Sequence, residues 1–146
     1  MQEFTRRDLL KGAVAISAAT MISGVAQASS GHHHHANPNA AVVDTALDCI
    51  KTGQACLEHC FDLFKQGDIS VADCADTVTD MLAMCTALTQ MASSQSKHLA
   101  GVAKVCAAVC KDCKKACEKH ADKHAACKAC AESCEDCIKA CEKIAA

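Results

Sequence analysis

The chain has 146 residues, suited to one domain, and its 15 basic and 17 acidic side chains give a formal charge of -2. So even a balance offers no basis for nucleic acid as a partner. Tryptophan and tyrosine are absent and 14 residues are cysteine, so a core must come from Ala, Val, Leu, Ile, Met and cysteine itself; a domain this small and thin-cored needs disulfides, metal or oligomerisation as a staple.

Residues 1–28 read as an export signal. Arg6-Arg7 and Leu9-Leu10-Lys11 precede an apolar stretch from Gly12 to Val25, and Ala26-Gln27-Ala28 supplies a small-x-small cleavage site. The paired arginines resemble the twin-arginine signal of bacteria. That resemblance implies a periplasmic protein exported already folded, with its thiols buried or occupied before they meet an oxidising compartment. The apolar run of about 14 residues is shorter than the ~20 of a spanning helix. No other segment is longer, so no membrane contact is expected once the signal is gone. All 14 cysteines remain in the other 118 residues, about 12% of them, a level that ordinarily signals a disulfide scaffold.

Residues 29–40 have no apolar period and read as a disordered, histidine-rich tail. His32 to His35 within it could capture a metal ion, or be a solvated spacer or a leftover of cloning. Residues 41–146 then read as a Cys-rich four-helix bundle. Alanine is abundant, proline absent, and the breaks are short. The first helix is predicted over about Ala41 to Lys65, with Asn39 as cap and Gln66-Gly67-Asp68 as stop. A second begins near Ser70, where Ser70 and Asp73 form a weak capping box, and runs to about Ala92. A third spans about Lys97 to Lys119, His120-Ala121-Asp122 turns the chain, and a fourth runs from about Lys123 to Ile144. The expected fold is all-α, an antiparallel up-down-up-down bundle with a cysteine-lined core.

At 100° per residue the cysteines fall on one stripe of every helix. Cys49, Cys56 and Cys60 share a face of the first. Cys74 and Cys85 share one on the second, with Val78 and Met81 beside them. Cys106, Cys110, Cys113 and Cys117 are spaced 4, 3, 4, and Cys127, Cys130, Cys134, Cys137 and Cys141 are spaced 3, 4, 3, 4. The opposite faces carry charge, including Glu135 and Lys139 at i,i+4. The stripe that would hold Leu and Ile in an ordinary bundle therefore holds sulfur.

Three readings compete for such a core. Cysteine can serve as a small hydrophobe, which does not explain fourteen aligned on four faces. Disulfides suit an even count in an exported chain, although columns of inward sulfurs on one helix do not meet bridging geometry; pairs across helices stay open. The third reading is metal. Zinc sites close with four ligands, commonly paired on turns, and the iron–sulfur run C-x₂-C-x₂-C-x₃-C-P is absent. A buried charge must be compensated, and one monovalent ion per thiolate does so where zinc on four thiolates leaves two negative charges. Thiolates without inward carboxylates select Cu(I). The Cys127–Cys141 ladder covers about 21 Å, room for many ions in a row. A redox enzyme is disfavoured, because the C-x-x-C pairs sit mid-helix outside any βαβ unit.

At this point the sequence resembles the bacterial copper storage proteins, cysteine-lined four-helix bundles. The similarity covers the whole chain after the signal. It is closest in Cys56-Leu57-Glu58-His59-Cys60-Phe61 and in Val105 to Ala146, with its C-x₃-C-x₂-C-x₃-C and C-x₂-C-x₃-C-x₂-C-x₃-C ladders. The resemblance implies several Cu(I) ions per chain along the bundle axis, no catalysis, and homotetramers as in several members. Copper donor and recipient proteins are not implied. It also implies uptake through one end of the bundle lined by histidine and methionine. His59 matches that histidine, whereas Leu63 to Val71 contains no methionine. Antiparallel connectivity gathers His59, His120 and His124 at one end, where His59 reads as a ligand and the other two as exposed turn residues. Met81 and Met84 read as core filler. Val42, Leu88, Met91, Leu99, Val102 and Ile144 are expected to close the far end.

Overall fold

The computed structural model describes residues 37–146. The export signal predicted over 1–28 and His32 to His35 lie outside them. Four helices follow one another: α1 (Ala40–Lys65), α2 (Ala72–Ser93), α3 (Leu99–Glu118) and α4 (Ala125–Ala145). Each packs on its sequence neighbours, and α4 closes the ring against α1. The short connections force neighbours to run antiparallel, giving the up-down-up-down bundle that the spacing predicts.

Two helix ends carry the same device. At the end of α1 the Asp68 amide donates to the Leu63 carbonyl at 3.0 Å and the Gly67 amide to that of Phe64 at 3.0 Å. This reversal needs a left-handed residue, and Gly67 supplies it at φ 83°. At the end of α2 the Ser96 amide reaches the Met91 carbonyl at 2.9 Å, with Gln95 at φ 52° in the same role.

The helix starts differ from expectation. α2 begins at Ala72 with Val71 at its cap position and no side-chain cap bond, so the Ser70–Asp73 capping box does not form. Burial explains it. Val71 is wholly buried, and Asp68 turns the preceding chain instead by accepting from the Ser70 amide at 2.9 Å. Asn39 does sit at the cap of α1, but its side chain leaves the helix and donates to the Ala92 carbonyl at 3.3 Å. Asn37 donates to the same carbonyl at 3.2 Å. The last residues of the predicted tail are therefore tied to the C-terminus of α2, and Ala40 already belongs to α1.

All fourteen cysteines are fully buried, on the faces that the wheel predicts. Val42, Leu88, Ala92 and Leu99 are buried at the far end, with Met91, Val102 and Ile144 packed partly against them. A hydroxyl pair crosses the α1–α4 seam, where Thr52 Oγ1 and Ser133 Oγ lie 2.6 Å apart. Ser133 is buried and also donates to the Cys130 carbonyl at 3.0 Å, which satisfies it within its own helix. Among the described residues no helix is long and apolar enough to cross a membrane.

Candidate metal centre

Helical spacing sets the height of each sulfur on its own helix, and the bundle brings heights into register. Nearest the α1–α2 turn, Cys56, Cys74 and Cys127 have their sulfurs within 4.8 Å of one another, and so do Cys56, Cys117 and Cys130. Lower down, Cys113, Cys130 and Cys134 form a third group. Next come Cys49, Cys85, Cys110 and Cys137, one from each helix, and finally Cys106, Cys137 and Cys141. Individual pairs are close: Cys74 and Cys117 at 3.1 Å, Cys56 at 3.8 Å from both Cys74 and Cys127, and Cys113 and Cys130 at 3.8 Å. Cys85 lies 3.9 Å from both Cys106 and Cys110, and Cys137 lies 3.9 Å from Cys141. All fourteen are free thiols. Cys60 belongs to no group, although it is buried at the same end as Cys74.

An ion about 2.3 Å from each sulfur holds its sulfurs about 3.8 Å apart in a tetrahedron and about 4.0 Å apart in a triangle. The observed separations fit such spheres with little movement. Cys56, Cys130 and Cys137 each belong to two groups, so neighbouring ions would share thiolates within two runs, one linked by Cys56 and Cys130 and the other by Cys137. A protein built this way can hold soft cations in a row, and among the described residues no carboxylate joins the sulfur groups.

The crowded thiols polarise one another unevenly. A hydrogen bond from Cys117, helped by one from Cys56, holds the Cys74 thiol down at about 3. Cys110, then Cys134, lowers Cys49 to about 6. Cys130 and Cys137 are lowered as well, chiefly by Cys113 and Cys106 respectively. Burial pushes Cys60 up to about 11 and Cys127 up to about 12. Cys85 and Cys117 also rise, because each donates its proton to neighbours, Cys106 and Cys113 first. The shifts run in both directions, and a metal that binds a protonated thiol must displace its proton.

At the turn end, His59 Nε2 lies 2.9 Å from His124 Nδ1, with the rings tilted and their centroids 4.8 Å apart. The His120 centroid is 6.4 Å from that of His124. His124, expected as an exposed turn residue, is half-buried and paired with His59. It caps α4 in extended conformation, which turns its ring toward α1. Sequence placed both histidines at one end; the pairing needed the packing of α4 on α1. Met81 is fully buried on the cysteine stripe, as its position predicts.

A closed helical bundle with an axial column of shared thiols defines a class of soft-metal-binding proteins. Residues 15–146 match the copper storage protein family, and the chain belongs to that family. Among solved structures, the bundle is similar to the Cu(I)-bound copper storage protein BsCsp3. The two share 26% identity at a TM-score of 0.67, over 74% of this chain and 98% of that one. It is also similar to a cytosolic copper storage protein from Streptomyces lividans loaded with five coppers. That match has 30% identity and a TM-score of 0.65, over 73% and 91% of the two chains. A structure of the Streptomyces lividans protein Ccsp loaded with 10 copper equivalents matches at 30% identity and a TM-score of 0.64, over 73% and 83%. Comparison with curated proteins gives no significant match.

Proposed function

We propose that this protein stores multiple Cu(I) ions on its fourteen buried thiols, for copper supply or for detoxification, and catalyses no reaction. The observation that carries the proposal is the sharing of Cys56, Cys130 and Cys137 between neighbouring sulfur groups, which suits a chain of monovalent ions bridged by thiolates. Disulfides would instead set the thiols apart in pairs, and zinc would leave residual negative charge in a dry core. The Cu(I)-bound relatives support the same metal. Ligands in this reading are Cys49, Cys56, Cys60, Cys74, Cys85, Cys106, Cys110, Cys113, Cys117, Cys127, Cys130, Cys134, Cys137 and Cys141, with His59 as a ligand at the open end. Copper enters beside His59 and His124, because Val42, Leu88 and Leu99 pack the opposite end.

Residues 1–28 serve in this reading as a twin-arginine signal to the periplasm, and the chain assembles as a homotetramer. The exposed Phe61 and Val105, each about half accessible, support an oligomer. One experiment tests the storage function. Protein purified without oxygen is expected to give 14 free thiols on unfolding and to take on the order of ten Cu(I) ions per chain from a chelator. Followed in time, the same titration is expected to slow for His59→Ala and not for Met91→Ala. Zero to two free thiols, with copper left on the chelator, would overturn the proposal in favour of a disulfide staple.

A further inference from the structure

The thiol column is broken on one side at mid-height. On α1 the buried residue between Cys49 and Cys56 is Gly53, and on α2 the buried residues between Cys74 and Cys85 include Val78 and Met81. These two interruptions meet. A β-carbon on Gly53 would lie 2.5 Å from Met81 Cε and 3.0 Å from Leu82 Cδ2. Met81, wholly buried, therefore fills the space that any side chain at position 53 would need.

α3 and α4 have no such gap. Toward the histidine end, the sulfur groups draw on α1, α2, α3 and α4 through Cys56, Cys74, Cys117, Cys127 and Cys130. Toward the far end, Cys49, Cys85, Cys110 and Cys137 again come from all four helices. The group between them, Cys113, Cys130 and Cys134, comes from α3 and α4 alone. It shares Cys130 with the upper set. On α3, Cys113 stands between Cys110 and Cys117, one in each set, and on α4 Cys134 is one turn from Cys137.

We propose that Met81, seated on Gly53, divides the copper store into two compartments, and that Cu(I) crosses between them only on Cys113, Cys130 and Cys134. The proposal rests on the storage reading. A thioether is a soft ligand, yet it carries no charge with which to neutralise Cu(I) in a dry core. At this height the compensating thiolates lie on the α3–α4 side, and an ion moving by ligand exchange must follow them. Met81 is a positioning residue here, because it acts by denying α1 and α2 a thiolate at the crossing.

Transfer of Cu(I) from a coloured chelator complex, followed by stopped flow, tests the division. The apo fold of each variant is checked by circular dichroism. The native chain is expected to fill in two phases, the histidine-end compartment first. Cys134→Ser removes one crossing sulfur, so the second phase should slow by about tenfold or more, as a barrier higher by ~1.4 kcal/mol would produce. Its capacity should fall by only about one or two ions, the share of a single thiolate. Met81→Cys places a thiol on α2 at the crossing, and the phases should merge while capacity rises by about one ion. Met81→Leu, which fills the same space, should keep both phases. Single-phase filling of the native chain, or two phases that neither Cys134→Ser nor Met81→Cys alters, would overturn the division while leaving multi-copper storage intact. Uptake of no more than one ion by every variant would overturn the storage reading, and the compartments with it.

Discussion

The α3–α4 hairpin carries nine cysteines and the α1–α2 hairpin five. Their surfaces differ in the opposite sense. Residues 37–96 hold two lysines against eight acidic side chains, whereas 97–146 hold ten lysines against seven acidic ones. Across α3 and α4, Lys111 meets Glu142 and Lys114 meets Glu135, each at 2.7 Å. Among the described residues the one ion pair between α2 and the end of α3 is Lys119 with Asp73, at 3.0 Å. The hairpin richer in thiols is therefore the more positive on its outside. Inside, it supplies an unbroken ladder, while α1 and α2 give up sulfur for Gly53, Val78 and Met81. In the proposed store, one hairpin offers the thiols along which ions would pass, and the other the packing that closes the column.

The largest effect expected from breaking this contrast is on capacity. Serine at Cys106, Cys110, Cys137 and Cys141 removes the α3–α4 contribution to the far half and should lower Cu(I) capacity by roughly a third, since each thiolate removed takes away one compensating charge. Serine at Cys49 and Cys85, on the other hairpin, should cost far fewer ions, because four far-end thiols remain. Copper titration of the two variants compares them directly. Equal losses would show that the hairpins contribute alike.

A smaller effect concerns packing. Gly53→Ala should lower the stability of the metal-free bundle by up to about 1 kcal/mol, an overpacking cost of about 1–2 kcal/mol against Met81 less the ~1 kcal/mol alanine gains over glycine inside a helix. Met81→Ala in the same chain should relieve it, and denaturant midpoints of the four-member cycle would give a coupling of about 1 kcal/mol or more. Additive effects would mean that Gly53 and Met81 do not share one space. The smallest effect lies on the surface. Lys114→Ala removes the contact to Glu135, and exposed pairs contribute little, so the melting midpoint should move by no more than about 3 °C. A larger fall would place the difference between the hairpins outside the core.

Much of this protein was legible in the sequence because cysteine marks the buried face as clearly as leucine would. Spacings of three and four fix azimuth, so the inward face of each helix followed from residue numbers alone. Helix ends were read to within about two residues, the usual precision of such boundaries. The capping box at Ser70 failed because Val71 is drawn into the core; Asn39 holds its expected cap position, but its side chain satisfies a carbonyl of α2 instead of an amide of α1. The histidine end followed from antiparallel connectivity. The pairing of His59 with His124 did not, since a residue beside a turn reads as solvated until the neighbouring helix is placed.

Sequence by itself determined that four amphipathic helices turn fourteen sulfurs inward, and that soft ligands in a dry interior suit a soft monovalent cation. Those properties are local: they depend on side-chain chemistry and on the 3.6-residue turn. Only the tertiary structure decided which sulfurs stand together. Cys49, Cys85, Cys110 and Cys137 converge because the axial shift between helices is set by contacts distant in sequence, among them Thr52 with Ser133 and Gly53 with Met81. Periodicity gives each cysteine an angle and a height on its own helix, but it carries no information about how far one helix slides past the next.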